Sequence, residues 1–246
     1  MKGNSNHLIL FGFIFVILIS CKREGTYGMN HPNLPSQLIS TSIDGNANQV
    51  KLRFNNERQL IQCISADGRE TSFNYSGNRI LSIHRKDSGK TNIRVQAEFI
   101  YSANELVQIA SYISSTPFQI DIRHDKLTNM YSAATAEDTY QFQFDDANNL
   151  VFQNSAIMDR ATIVNSNEVA SPFATANIPI ALSIYYSFYD KSPAFLFFNK
   201  KMIESVHYKD LGETRNYSLA RNTGGLIEEV EVNDGKEIIE KISIRY

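Results

Sequence analysis

Cysteine is almost missing from this 246-residue chain: Cys21 and Cys63 are the only two. A disulfide framework is therefore excluded, and packing must hold the fold together. Tryptophan is absent altogether, so 15 Phe and 12 Tyr supply all of the aromatic surface. No stripe of Lys and Arg disturbs a nearly balanced formal charge of −2, which removes the electrostatic support for a nucleic-acid partner. No apolar run reaches the roughly 20 residues that a membrane-crossing helix needs. Catalytic signatures are missing too: there is no Gly-x-Ser-x-Gly elbow, no phosphate-cradling Gly-rich loop and no His-Glu-x-x-His.

What is present begins with Leu8–Ile19 (LILFGFIFVILI), an apolar run behind a polar start that carries Lys2. Its length fits the roughly 7–15 residues of a signal-peptide core. It leads to Leu18-Ile19-Ser20-Cys21, and the whole resembles a bacterial lipoprotein signal peptide closed by a lipobox. A non-lipidated secretory signal fits the same hydropathy but favours an Ala-x-Ala-like site, which this stretch does not have. The expectation is that residues 1–20 are removed and that Cys21 is the lipidation site, holding the protein to a membrane of the bacterial envelope. The outer membrane, with a periplasmic or a surface-facing domain, is the expected place. Losing Lys2 takes the formal charge to −3. Cys63, in Leu60-Ile61-Gln62-Cys63-Ile64, is then left unpaired and reads as a small buried hydrophobe, with no neighbouring His or cation to activate it.

Residues 21–48 read as the lipidated cysteine and a flexible tether, rich in Asn, Ser, Gly and Pro and without a sustained apolar period. Residues 49–246 read as one β domain, because from Val50 onward the dominant period is two. Val50, Leu52 and Phe54 alternate with Lys51 and Arg53. Val95, Ala97, Phe99 and Tyr101 form a second such set, Tyr140, Phe142 and Phe144 a third, and Val230 with Val232 a fourth. Such alternation puts one face of each strand on a core and the other in water. Between the runs lie hairpin signals: Asp67-Gly68, Ser76-Gly77-Asn78, Ser88-Gly89, Asp210-Leu211-Gly212, Gly224-Gly225 and Asp234-Gly235. The pattern predicts an all-β fold, a long twisted antiparallel meander of 12 or more strands. A sheet of that length curls, so a curved or partly barrel-like shape follows. Faces carrying Lys51, Arg53, Gln141 and Gln143 are too polar for hydrocarbon, so the sheet is not expected to span the membrane.

A degenerate repeat runs through the domain: an aromatic strand end, a polar turn and an aliphatic strand start. Phe54-NNERQ-Leu60, Tyr75-SGNR-Ile80, Tyr101-SANE-Leu106 and Phe144-DDANN-Leu150 are the clear copies. Ile122-RHDK-Leu127 and Leu219-ARNTGG-Leu226-Ile227 are weaker ones. A unit of two strands cannot bury its apolar face alone, so copies must stack edge to edge, with the aromatic packing across its turn near the aliphatic. These units behind a lipobox resemble the bacterial lipoproteins of unknown function with a porin-like β fold, common in Bacteroidetes-type envelopes. More loosely they resemble the tyrosine-aspartate repeats of large secreted shell proteins. Tyr186-SF-Tyr189-Asp190-Lys191-Ser192-Pro193-Ala194-Phe195 is similar to a late stretch of the lipoprotein family, although Ala194 separates Pro193 from Phe195 here. The resemblance implies the fold and the envelope location, and it brings no catalytic residues.

Residues 155–198 interrupt the repeat, as an irregular excursion or a segment with a short helix. Read as strands, Ile184–Tyr189 and Phe195–Phe198 hold too many aromatics for one core face. Either a second packed face covers them, or Tyr185, Tyr189 and Phe197 form a ligand or partner surface. His124 in Asp121–Asp125 and His207 before Asp210 read as turn histidines rather than metal or acid-base groups. Asp145-Asp146 and Glu228-Glu229 read as turn or strand-edge carboxylates. No cofactor and no metal site is expected. The reading favoured is a non-enzymatic, lipid-anchored β module with a structural role or with a glycan, a peptide or an envelope protein as partner. A hydrolase acting on an envelope glycan would need two convergent carboxylates. A carrier of an apolar ligand would need the sheet to curl around a Phe- and Tyr-lined cavity.

Overall fold

In the computed structural model the described residues are 31–112, 117–136, 138–155, 160–189 and 198–246, with Phe188 and Tyr189 described by backbone alone. Sixteen strands follow one another along them. The first eight are β1 (Gln37–Ser42), β2 (Ala47–Phe54), β3 (Leu60–Ser65), β4 (Glu70–Ser76), β5 (Arg79–Lys86), β6 (Ile93–Ser102), β7 (Glu105–Ser111) and β8 (Phe118–Asp125). The others are β9 (Met130–Ala134), β10 (Thr139–Phe144), β11 (Leu150–Asn154), β12 (Ala161–Ala170), β13 (Lys201–Tyr208), β14 (Glu213–Arg221), β15 (Ile227–Asn233) and β16 (Ile238–Arg245). One helix, α1 (Ile180–Tyr189), lies between β12 and β13.

Every strand pairs antiparallel with its neighbours in sequence, and β1 pairs with β16 from Gln37↔Arg245 to Ser42↔Glu240. The expected curved meander is therefore a fully closed barrel. Closure removes both sheet edges, which would otherwise be open to pairing with other chains. The tether expected to reach residue 48 ends earlier than that. β1 and the start of β2 are wall strands, and Leu34 is buried ahead of them. Leu38 pairs with Val50 and continues its inward phase into β1, but the polar Ser40 and Ser42 that follow in that phase hide it in the sequence.

The alternating sets fall as expected. Leu52, Phe54, Ala97, Phe99, Phe142, Phe144, Val230 and Val232 are buried inside, while Lys51, Arg53, Glu98, Asp121 and Arg123 are exposed outside. This is the reverse of a membrane-spanning barrel, whose outer face is an apolar band. No helix among the described residues is long and apolar enough to cross a membrane. Each inward Leu, Ile, Val or Phe contributes about 1.5–3 kcal/mol of hydrophobic stabilisation.

The repeat has a structural counterpart at one end of the barrel. Phe54 pairs with Leu60, Tyr75 with Ile80, Tyr101 with Leu106 and Phe144 with Leu150, and the register shifts at the aromatic every time. An extra residue at that bulge turns the aromatic across the hairpin. The five-residue turns are near copies: Asn55 N–H donates to Gln59 O at 3.0 Å, and Asp145 N–H to Asn149 O at 2.9 Å. Arg58 and Asn148, one residue before the turn closes, both take positive φ, at 61° and 64°. Gln59 and Asn149 are buried, and each is hydrogen-bonded into the next element, Gln59 to Gly77 O at 2.6 Å and Asn149 from Lys201 N–H at 2.9 Å. Tyr75 Oη donates to Leu60 O at 2.8 Å, and Tyr246 Oη to Ile227 O at 3.1 Å. The weak copy at Leu127 is not one: that side chain is 97% exposed at a turn tip, and Asp125 pairs with Met130 instead.

Sixteen strands enclose more space than their own side chains fill. The interruption at 155–198 answers this. Part of it is β12, and Ser171–Pro179 crosses the repeat end, where Asn177 N–H donates to Arg58 O at 2.9 Å. Pro179 then starts α1, a helix with no charged residue at either terminus, and α1 runs among the inward side chains. The aromatics read as strand residues are thus helical where described. Its mostly apolar sequence suits a helix enclosed by the barrel: Ala181, Leu182, Ile184 and Tyr185 are buried, and Ser187 Oγ donates back to Ser183 O at 2.8 Å.

Candidate functional site

The helix fills the barrel unevenly. Leu182, Ile184 and Tyr185 are fully buried, as are Ile109, Ile120, Ala133, Phe142, Ala161, Met202 and Val206 on the wall from β7 to β13. An aromatic chain ties the plug to β2, β4 and β6. Phe54 meets Phe173 at 6.4 Å, Phe173 meets Phe198 at 5.3 Å, and Phe198 meets Tyr186 at 6.0 Å. From Tyr186 the contacts reach Phe73 at 6.2 Å, and through Tyr185 they reach Phe99 at 5.8 Å.

On the other side, along β16, β1, β2, β3, β4 and β5, a cavity of about 260 Å³ is left. Its apolar lining is Leu38, Val50, Leu52, Ile242, Tyr186 and Phe198, and Cys63 joins them from β3. Toward the end away from the repeat turns the lining becomes polar, with Ser40, Asn48, Ser65, Thr71, Arg69 and Arg85. The alternation explains how these polar groups come inside. Thr71 pairs with Arg85, and both share the inward phase of Phe73 and Ile83, their partners two residues further along.

Each of the two cations is pinned by one nitrogen. Arg69 Nε lies 2.5 Å from Asp67, and Arg85 Nε lies 3.0 Å from Asp87. Asp67 also accepts from Ser65 Oγ at 2.7 Å, and that bond, with the Arg69 backbone N–H, holds its carboxyl below the usual carboxylate range. Burial opposes ionisation of Asp87, but Arg94, Arg85 and Lys90 outweigh it and keep this carboxyl below its ordinary value as well. Among the described residues, the terminal guanidinium nitrogens of Arg69 and Arg85 have no hydrogen-bond partner. The inward cation across the barrel is different: Arg215 bonds Glu213 at 2.8 Å and lies 4.8 Å from the Tyr208 ring centre. Burial pushes the Cys63 thiol up to about 12, so at neutral pH it is a neutral, slowly reacting lining group rather than an activated nucleophile.

The residues singled out from sequence fall in several places. Tyr185 lies in the interior at 1% exposure, so it belongs to the packed plug and not to an outer surface. Tyr189 is the last residue of α1, with its side chain outside the described set, and Phe197 and Cys21 lie outside the described residues. His124 is not in a turn but at the end of β8, stacked on Tyr131 at 4.0 Å with Nε2 3.0 Å from Asn129. His207 is likewise a strand residue of β13, next to Thr214 at 3.0 Å. Glu229 sits on β15, bonded to Lys241 at 3.1 Å. Among the described residues no cluster of His, Cys, Asp and Glu could hold a metal ion. The lining residues Arg69, Arg85 and Val50, with Tyr186 and Phe198, were not marked as a site. The available signal was a cation in the apolar phase of a strand, at Arg85 two residues after Ile83.

The fold has solved counterparts. A porin-like protein from Bacteroides uniformis is similar over 86% of this chain and 96% of its own, at 11% identity and a TM-score of 0.50. The Tc holotoxin pore of Photorhabdus luminescens matches 80% of this chain but 9% of its own, at 10% identity and a TM-score of 0.30, too distant to inform the comparison. No family model matches the chain, and no curated protein does. At 11% identity the likeness to the Bacteroides protein speaks for a shared porin-like β architecture alone.

Proposed function

We propose that this chain is a lipid-anchored, non-enzymatic β-barrel of the bacterial envelope that binds a small ligand in its half-filled interior. The observation that carries the reading is the asymmetry of the filling. Inward residues from β7 to β13 are fully buried, while the wall from β16 through β1 to β5 leaves about 260 Å³ behind an apolar lining with a polar mouth. Small-molecule sites have this character, mostly apolar walls with a few placed polar groups. The apolar-ligand carrier weighed from sequence is thus favoured over a hydrolase, since among the described residues the cavity is lined by no pair of carboxylates. The lipobox at Cys21 and the porin-like likeness support the envelope setting.

Cys63 provides a reporter, because it lines the cavity. In the full-length protein held in nanodiscs, decan-1-ol should slow alkylation of Cys63 by N-ethylmaleimide, read by mass spectrometry. Alkylation that is indifferent to decanol at its solubility limit would sink the ligand reading. A Cys21→Ala variant that stays with the membrane fraction would sink the anchor.

A further inference from the structure

The mouth of the cavity is not neutral. We infer that the ligand is a single-chain amphiphile with a carboxylate head, held head-outward by Arg69 and Arg85; this rests on the cavity reading above and adds the chemical class.

Four cations meet at this corner, Arg69, Arg85, Lys90 and Arg94, against two carboxylates, Asp67 and Asp87. Asp87 is shared by three of the cations, Arg85 at 3.0 Å, Arg94 at 3.3 Å and Lys90 at 3.7 Å, so the corner keeps a net positive charge. The neighbouring Lys86 and Glu70 pair with each other at 3.3 Å and leave that balance unchanged. The two arginines that line the cavity are oriented by their Nε–H groups, and their terminal nitrogens are unspent. A guanidinium fixed in this way loses little freedom when it binds and offers paired donors that match a carboxylate. Thr71, directly across from Arg85, adds a hydroxyl to the same rim.

Ser40, on the far side of the rim, does not compete for an anion. Ser40 Oγ donates to Glu240, which spends that hydroxyl and marks the far side of the mouth as negative. Ser40 on β1 and Arg85 on β5 are four strands apart, roughly 19 Å along the wall at about 4.8 Å per strand. The mouth is therefore polarised, and an anionic head is drawn to the arginine side. Below it Leu38, Val50, Leu52, Ile242, Tyr186 and Phe198 offer nothing polar to a tail except the Tyr186 hydroxyl and the Cys63 thiol. The volume corresponds to roughly nine waters at about 30 Å³ each, which limits the buried tail to a short or medium chain.

The test compares decanoate with decan-1-ol, which share the tail and differ in the head, in the Cys63 alkylation assay on the full-length protein in nanodiscs. Protection by decanoate is expected at about a tenfold lower concentration than by decanol, as for a hydrogen bond to a charged group. Arg85→Gln should remove that difference and leave decanol protection in place. Arg69→Gln, in a turn outside the strand ladder, should reduce it and serves as the second variant if Arg85→Gln does not fold. Equal protection by the two ligands in the unaltered protein overturns the head-group inference while sparing the cavity. No protection by either overturns both.

Discussion

The wall from β7 to β13 and the wall from β16 through β1 to β5 are built from the same kind of alternating strand, yet the inward phase of one stays apolar and buried while that of the other turns polar beside a cavity. The difference lies in what points inward. On the packed wall the inward phase reads Ile109, Ile120, Ala133, Phe142 and Val206, all at or near zero exposure. On the open wall the same phase becomes Ser40, Asn48, Ser65, Thr71 and Arg85 as it leaves the repeat end. Inward polar groups lose hydrogen bonds when apolar side chains cover them, so a space beside Ser40, Thr71 and Arg85 costs less than one beside Ile109 or Phe142 would. The barrel thus pairs a load of core that makes it stable with a remnant of space that makes it useful.

Substitutions can break this contrast. Phe142→Ala on the packed wall should cost about 3–5 kcal/mol, read from thermal or denaturant unfolding, because the cavity left there cannot collapse. Val50→Ala on the open wall should cost less than about 1.5 kcal/mol, since the space beside it already exists. If the two cost the same, the asymmetry is not real. Overpacking should show the same order. Ala97→Leu, at a position of zero exposure beside Ile83, should destabilise by about 1–3 kcal/mol, whereas Val50→Phe should be nearly neutral and should block protection of Cys63 by decanol.

Chemistry sharpens it further. With its pKa pushed from 9.0 to about 12 by burial, Cys63 should react with maleimide at pH 8 about 1000-fold more slowly than an ordinary thiol. A rate near that of free cysteine would place it in bulk solvent. The smallest effect concerns Asp87. Its folded-state pKa is held below the ordinary 3.8, so its contribution is complete above that value and disappears as pH falls through the depressed one. Asp87→Asn should accordingly lower the melting temperature at about pH 7 and become indistinguishable from the unaltered protein near about pH 2.

Much of the architecture was legible in the residues. The period of two marked the inward faces of β2, β6, β10 and β15, and the aromatic-turn-aliphatic unit marked four hairpins down to the paired residues, Phe54 with Leu60 through Phe144 with Leu150. Gly68 and Gly77 take φ of 80° and 55° at turns the dipeptides announced. β1 was missed because its inward Ser40 and Ser42 break the apolar alternation on which the reading depends. Ile184–Tyr189 was weighed as strand, with a short helix left open for 155–198, because Ser183 and Ser187 are too few to mark a helical period across the aromatics. The candidate site shows the same limit. The aromatics at Tyr185 and Tyr189 drew attention by density, while the groups that line the cavity are spread from Leu38 to Ile242 and share no local pattern.

The sequence by itself determined the class of fold, its strand order and the turns, because antiparallel hairpins are specified by neighbours only a few residues apart. It also marked Cys21 as the residue expected to bear the anchor. Only the tertiary structure decided that β1 meets β16, that the apolar segment folds as an internal helix, and that the filling stops short of one wall. Those outcomes depend on how much volume sixteen strands enclose and on which side chains from distant strands arrive inside it, and no local stretch of the chain encodes either quantity.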